Sequence, residues 1–500
     1  MKRSLLLLLL VGAAATTKAQ PGFENLDINP GLGSASPMYI NAFGKKVYCY
    51  ANNGTTGREL FWADSMTKPK LTDNLNTGNS NAISVGYSKP SIGVGNKFYF
   101  TATNGASGEE IFSFDGTNAP SLVWDVDLGG GSSSPDNYTE QNNTLYFRAS
   151  TPANGYELWQ YDITNKLAKR LTDIRSGSDS SLTGDVLYYK NNIIFTANDG
   201  TNGNELWSYN ILTQQAQMIS DIDTGAADSD PKNLTIIDGK VYFSANEKHT
   251  GRELYEYDGI DLPKRVTDID TGFTSGVYLA PGVGFIKFNN LIYFAGRYQN
   301  RVHLYSYNPA TKVAKLEHKI NPNGNSNPQH FAIYKGRLFF AADDGANGLE
   351  LWAYDGTNAP TLMADLCPGA NGSMPAGLVA IGDDLYFSAT DCKSSGSELF
   401  RYNAKLAGIR TTLFDGSATF YPNPIPRNLK IELNLVRDEE LRIRIADISG
   451  QTIYDTDVVP YPRGKSKIDV PMKNLPAGGY IYYIQNKDST TYLTGKLIKL

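Results

Sequence analysis

One nine-residue run recurs along the chain with small edits: NGYELWQYD at 154–162, NGNELWSYN at 202–210, TGRELYEYD at 250–258, NGLELWAYD at 347–355 and SGSELFRYN at 395–403. Its glutamate falls at Glu59, Glu110, Glu157, Glu205, Glu253, Glu350 and Glu398, with His303 in the same place between the fifth and sixth of these, at steps of 47 to 51 residues. Self-similarity at such a period means one supersecondary unit per repeat, stacked against its neighbours. A chain of 500 residues exceeds what one ordinary core can organise, so an array of this kind is also what its length requires.

Each unit divides into strands. A loose apolar strand such as Leu378 to Ile381 is followed by a turn and an aromatic strand such as Leu385 to Ala389, then a Gly-containing loop, the strand that begins at the repeat glutamate, and a last strand. Four strands in about 48 residues make a propeller blade. A parallel β-helix is the competing architecture, but the turns here read as hairpins. Glu205, Trp207 and Tyr209 alternate with Leu206 and Ser208, so both faces of that strand carry apolar groups, as a blade packed between two others needs. The expectation is an all-β fold: an eight-bladed propeller over residues 20–416, followed by a small β-sandwich over 417–500.

A second motif, Asp-Ile-x-x-Gly and variants, precedes each new unit: Asp173 with Gly177, Asp221 with Gly225, Asp268 with Gly272, Asp365 with Gly369, and near the N-terminus Asp27 with Gly31. Two segments can therefore close the ring: Phe23 to Ile28, or Ile409 to Asp415. The runs ELWSYN and LELWAYDGT resemble the ELWxxDGT repeats of secreted bacterial proteins, a resemblance that covers about residues 23–416 and speaks to architecture rather than ligand.

From Phe420 the pattern changes. Prolines 422, 424 and 426 fix their own φ and restrict their predecessors, and alternating strands such as Leu429 to Leu433 and Leu441 to Ile445 follow. Tyr421-Pro422-Asn423-Pro424, Asp447 to Gly450, Leu475 with Gly478, Gly479 and Tyr480, and the closing Lys496 to Leu500, including Lys499, together resemble the C-terminal sorting domain of type IX secretion cargo from Bacteroidota. The resemblance implies export through the outer membrane by that machinery, removal of the domain by a sortase, and attachment of the passenger to the cell surface. At the other end, Lys2 and Arg3 ahead of an apolar run and small residues up to Ala19 read as a secretory signal peptide over 1–19. No other stretch approaches the length of a membrane-spanning helix.

Cys49, Cys367 and Cys392 are too few for a disulfide framework in an oxidising compartment; one Cys367–Cys392 bridge and three free thiols are both open. The net charge is −5, and because the leader and residues 418–500 each contribute +3, the repeat region carries −11. That balance disfavours nucleic acid as a partner.

Antiparallel pairing should bring each repeat glutamate near the Asp of the following joint: Glu157 with Asp173, Glu205 with Asp221, Glu253 with Asp268, Glu350 with Asp365. Neighbouring carboxylates repel and need donors or a cation. One reading is a calcium site in each unit; the other is a glutamate that accepts backbone N–H bonds while the Asp caps its turn. The sixth unit loses both acids together, to His303 and Lys319, and replaces a glycine by Arg301. Arg297, Tyr298, Arg301 and His303 there form a candidate basic, aromatic binding spot for a glycan carboxylate or acidic peptide, against the alternative of a decayed repeat.

Enzyme signatures are thin. The four histidines lack metal-ligand spacing, no Gly-x-Ser-x-Gly elbow occurs, and the acids recur in register as scaffold residues do. The expectation is a secreted or surface-attached binding or scaffold module for glycan or protein, with a surface polysaccharide hydrolase and a purely structural surface component as alternatives.

Overall fold

The computed structural model describes residues 22–31, 33–270, 274–279, 282, 284–392, 396–404, 418–435, 438–447, 451–486 and 491–500, without the side chains of 486 and 491–496. The leader 1–19, Gly272, the alternative closing segment Ile409 to Asp415 and Gly450 lie outside these residues. Every named element is a strand, and among the described residues no helix is long and apolar enough to cross a membrane.

Two compact units form, one over Glu24–Tyr402 and one that includes Asn403–Leu500. Among the described residues the first holds eight four-stranded antiparallel sheets in repeat order. Sheet one comprises Met38–Phe43, Lys46–Asn52, Arg58–Ala63 and Lys70–Leu71. Sheets two to seven span residues 91–124, 136–170, 182–220, 232–265, 286–318 and 329–364, each a simple up-and-down meander. Sheet eight takes Ala376–Ile381, Asp384–Ala389 and Glu398–Tyr402 from its own repeat and its fourth strand, Phe23–Asn25, from the beginning of the chain. The N-terminal candidate is thus the strand that completes the last sheet; Leu26 N–H donates to Leu399 O at 2.8 Å, and Arg401 pairs with Glu24.

The aromatic second strands explain how the sheets associate. Phe147, Phe195, Phe243, Phe294, Phe340 and Phe387 are fully buried. The apolar clusters lie between consecutive sheets: Tyr48 and Tyr50 of sheet one with Phe98 and Phe100 of sheet two, Tyr146 of sheet three with Phe195 of sheet four, Tyr293 of sheet six with Phe340 of sheet seven. Sheet eight joins sheet one through Tyr386, Leu399, Val47 and Phe61. Each large side chain removed from water contributes roughly 1.5–3 kcal/mol, so the contacts between sheets carry the stability. Trp159, Trp207 and Trp352 belong to these clusters, in keeping with a packing role.

Glycines mark where the repeat comes closest to itself. Gly57, Gly108, Gly155, Gly203, Gly251 and Gly348, two residues before the repeat glutamate, all have φ between +57 and +74, and a Cβ at Gly203 would lie 2.1 Å from Ala227 O in the next joint. Only glycine meets both demands. In unit six Arg301 occupies this place because the loop is different: Gln299 and Asn300, φ +52 and +62, form a two-residue turn that continues the hairpin regularly from Tyr298 to Arg301.

Cys367 and Cys392 form a disulfide, and Cys49 is a buried free thiol.

The second unit contains a three-stranded sheet with Asn428–Leu435 at its centre and a five-stranded sheet built on Glu439–Asp447 and Gly478–Asn486. Ile431, Leu433, Ile443, Ile445, Val470 and Leu497 alternate inward from both to make one core.

Candidate functional site

The repeat glutamates are all buried, each at 0–1% exposure. Their oxygens accept hydrogen bonds from the joint that leads to the next sheet. Glu110 accepts Val126 N–H at 2.9 Å, Ser133 N–H at 2.8 Å and Ser133 O–H at 2.5 Å. Glu205 accepts Ile222 N–H at 2.9 Å, Ser229 N–H at 3.1 Å and Ser229 O–H at 2.6 Å. Glu253 takes Thr267 O–H and Gly276 N–H, Glu157 takes Thr172 O–H and Ser181 O–H, and Glu350 takes Leu366, Cys367 and Ser373 N–H together with Ser373 O–H. Glu398 does the same with Ile28 and Ala35 N–H at the start of the chain, so the closing seam matches the others. A carboxylate is the one short side chain that accepts several convergent donors.

Burial, with a smaller push from the neighbouring Asp, raises the carboxyls of Glu110 and Glu253 to about 7, while burial raises Glu350 to about 7. The donors oppose that shift.

The joint acids turn away to partners of their own. Asp221 Oδ2 accepts Gly225 N–H at 3.1 Å, closing its own turn, and Asp125 does so with Gly129 at 3.2 Å. Asp173 pairs with Arg170 at 3.2 Å and Asp268 with Arg265 at 3.3 Å. Asp365 Oδ1 is enclosed within its joint. Calcium requires six to eight oxygens. Here the glutamate oxygens face N–H and O–H hydrogens, and what an Asp leaves over, such as the enclosed Oδ1 of Asp221, is a single atom. Among the described residues no group of three or more His, Cys, Asp or Glu gathers to hold a metal. The donor set does not fit calcium.

Unit six keeps the same pocket with different chemistry. His303 is buried at 1% exposure with Nδ1 2.9 Å from Ser326 Oγ, the counterpart of the serine that serves Glu110. Burial first, then Lys319 and Arg301, pushes the imidazole below its ordinary range. The four residues of the candidate binding spot are not brought together. Tyr298 and Arg301 face each other at the hairpin tip, where Lys319 lies 4.2 Å over the Tyr298 ring and Arg301 donates to Pro322 O. Arg297 sits one residue back, on the opposite face, over Tyr278. His303 is a seam residue. Strand alternation, readable in the sequence, sets Arg297 on the face opposite Tyr298, Arg301 and His303, and burial in the seam sets His303 apart from the exposed Tyr298 and Arg301.

In the C-terminal unit the motif residues do structural work. Asn423 Oδ1 accepts Ile498 N–H at 2.9 Å, Ile425 N–H donates to Ile498 O at 2.7 Å, and Gly479 pairs with Ile498, tying the first segment to the last strand. The peptide bonds before Pro422 and Pro424 are cis. Tyr421 O–H reaches Glu432, Tyr480 is buried with its hydroxyl on Pro476 O, and Lys499 is buried at the end of the last strand. Lys496 pairs with Ile481 through its backbone.

No curated protein matches the chain. Solved structures with similar folds include PorZ, a bacterial surface component of the type IX secretion system of Porphyromonas gingivalis (10% identity, TM-score 0.40, covering 94% of this chain and 60% of that one). They also include an oligogalacturonate lyase in complex with manganese (10%, TM-score 0.38, 62% and 86%) and Sqt1 of Saccharomyces cerevisiae (10%, TM-score 0.44, 77% and 99%). The chain thus spans about 60% of the length of PorZ. Residues 419–499 match the family model described as the secretion system C-terminal sorting domain. The C-terminal unit is therefore a type IX secretion sorting domain.

Proposed function

We propose that residues 23–402 close into an eight-bladed β-propeller that the sorting domain delivers to the cell surface, where the propeller acts as a non-catalytic binding or scaffold module for glycan or protein. Eight sheets of one design, each packed on the next, and an eighth completed by the first strand of the chain support the ring. The observation that carries the non-catalytic reading is the seam itself. The recurrent carboxylates, the most reactive-looking residues in the sequence, are buried and engaged by backbone and hydroxyl donors, whereas a glycosidase needs two unequal carboxyls facing a cleft. Export begins, on this reading, with the leader at 1–19, and a sortase removes residues 417–500.

Two measurements test it. Deleting residues 418–500 should leave the passenger in the periplasm, and undiminished surface display of that truncation would refute the export half. Screening the purified chain against glycans and surface proteins should give binding without released reducing ends. Turnover abolished by a single carboxylate change would favour a hydrolase instead.

A further inference from the structure

Consecutive sheets meet at a seam, and one side of each seam carries the turns between first and second and between third and fourth strands. Side chains close that side at every seam but one. Lys169 of unit three donates to Gln214 of unit four at 3.3 Å, and Lys190 of unit four to Asp258 O of unit five at 2.7 Å. Lys287 of unit six reaches Asp238 of unit five at 2.6 Å, and Tyr334 of unit seven donates to Asp383 O of unit eight at 2.6 Å. Asn289 of unit six donates to Asp355 O of unit seven at 3.4 Å, and Arg401 of unit eight to Ser65 O of unit one. Between units one and two the Trp62 ring fills the gap, with Lys46 and Lys70 at 3.7 and 5.1 Å from its centre. Among the described residues no hydrogen bond or ion pair joins the turns of units two and three.

The sequence explains the opening. Side chains that face the next sheet form a row across the strands, and in sheet two that row runs Tyr99, Ser113, Ser121. It runs Tyr48, Trp62, Lys70 in sheet one, Tyr146, Gln160, Lys169 in sheet three, Ile194, Ser208, Gln217 in sheet four and Tyr242, Glu256, Lys264 in sheet five. Where the row is short in later sheets, a long neighbour covers it: Glu317 accepts the Ser306 hydroxyl at 2.6 Å in sheet six, and Arg337 donates to Thr361 and to Ala353 O in sheet seven. Two serines with nothing drawn over them leave a cavity of about 350 Å³ between sheets two and three. That volume lies in the range of small-ligand sites, about 300–1,000 Å³.

Its polar lining is unused. Tyr99, Ser113 and Tyr161 are 4–5% exposed, and none of their hydroxyls has a hydrogen-bond partner among the described residues. Buried hydroxyls are ordinarily paired, since one left unmade costs about 1–3 kcal/mol. Ser121 and the Asn143 amide, both exposed, line the same cavity and are also unbonded. Lys97 from sheet two and Lys166 from sheet three line it from opposite sides, exposed and outside any ion pair. The acids of the adjoining turns are held by their own backbone: Asp115 accepts Thr117 and Asn118 N–H, and Asp162 accepts Thr164 and Asn165 N–H.

We infer that this seam binds one sugar residue carrying a tetrahedral oxyanion, a sulfate or phosphate ester, with Lys97 and Lys166 on the ester and Tyr99, Ser113, Ser121 and Tyr161 on the ring hydroxyls. Hydroxyl groups both donate and accept, as the hydroxyls of a sugar require of a partner. Two lysines present point charges rather than the flat fork that reads a carboxylate, which suits a group with three terminal oxygens. The inference rests on the proposed binding role of the passenger and narrows it to one seam and one ligand chemistry.

The test is calorimetric titration of the full chain with glucose 6-sulfate and glucose 6-phosphate, with methyl glucoside and the inorganic anions as controls. One ester or both should bind at least tenfold more tightly than methyl glucoside and than the free anion, and the tighter ester identifies the source. Ser113→Gln with Ser121→Lys copies the row of sheet three, so it should keep its melting temperature and lose at least tenfold of that affinity. Lys97→Gln with Lys166→Gln, at exposed positions, should also lose at least tenfold for the ester at an unchanged melting temperature. Equal affinity for ester and glucoside, inorganic anion bound as tightly as the ester, no binding by the wild type, or unchanged affinity in either double variant would each overturn the inference. A glycan or protein bound equally by wild type and the serine double variant would remove this site while leaving the proposed binding role intact.

Discussion

Removing one seam glutamate should unlock one joint, and Glu205 allows the cost to be worked out group by group. Glu205→Ala takes the acceptor from Ile222 N–H, Ser229 N–H and Ser229 O–H. The hydroxyl has a second acceptor in Asn204 O at 3.2 Å, so two N–H groups, one buried and one half-buried, lose their partners. At about 1–3 kcal/mol for each buried donor left unmade, the loss is about 2–6 kcal/mol. Glu205→Gln keeps one oxygen, able to serve Ile222 N–H and Ser229 O–H, but sets an NH₂ against Ser229 N–H. One donor is then unmet, a loss of about 1–3 kcal/mol, partly offset because a buried charge disappears. Denaturant unfolding followed by tryptophan emission measures this in the repeat region alone, since all five tryptophans lie between 62 and 352. The expected order is wild type, then Gln, then Ala. If Ala costs no more than an exposed substitution, about 0.5 kcal/mol, the seam reasoning fails. A calcium arm separates the competing reading: millimolar calcium should leave the wild-type midpoint in place, and a rise that Glu205→Gln abolishes would establish a cation cage after all.

Gly203→Ala should destabilise far more than Gly239→Ala. Both glycines have φ above +70, but only the former would drive a Cβ to 2.1 Å from a backbone oxygen while the latter has nothing within 4 Å; the difference, about 1–3 kcal/mol by denaturant unfolding, isolates the clash, and equal losses would show that the joint yields. For pH, Glu350 has a folded pKa raised to about 7, so its stability contribution is complete below the unfolded carboxyl range and is lost as pH rises from about 4.5 to 7; Glu350→Gln should flatten that slope in midpoint-versus-pH curves, and a variant curve as steep as the wild type would contradict it. Replacing Cys367 and Cys392 by serine removes a bridge across 25 residues and should lower stability by about 3 kcal/mol, with the wild type falling to the same level under reductant; indifference to reductant would contradict the bridge.

The periodicity of Glu, Trp and Tyr made the strands and their number legible, because hydrophobic alternation and glycine turns are local properties. The sorting domain was equally legible, since its segments lie in fixed order at the chain's end. Which segment completes the eighth sheet was not: Phe23–Asn25 and its rival look alike as strands, and the choice rests on pairing across more than 370 residues. The cysteine pairing likewise needed the folded distance.

The seam shows the division most sharply. Sequence alone placed a glutamate and an aspartate in each unit and predicted that they would lie near one another. Only the tertiary structure decided that the glutamate turns to backbone N–H groups of the joint while the aspartate closes its own turn or meets an arginine, because side-chain direction and donor geometry are set by how neighbouring sheets approach. The same holds in unit six, where residues adjacent in sequence divide between two faces.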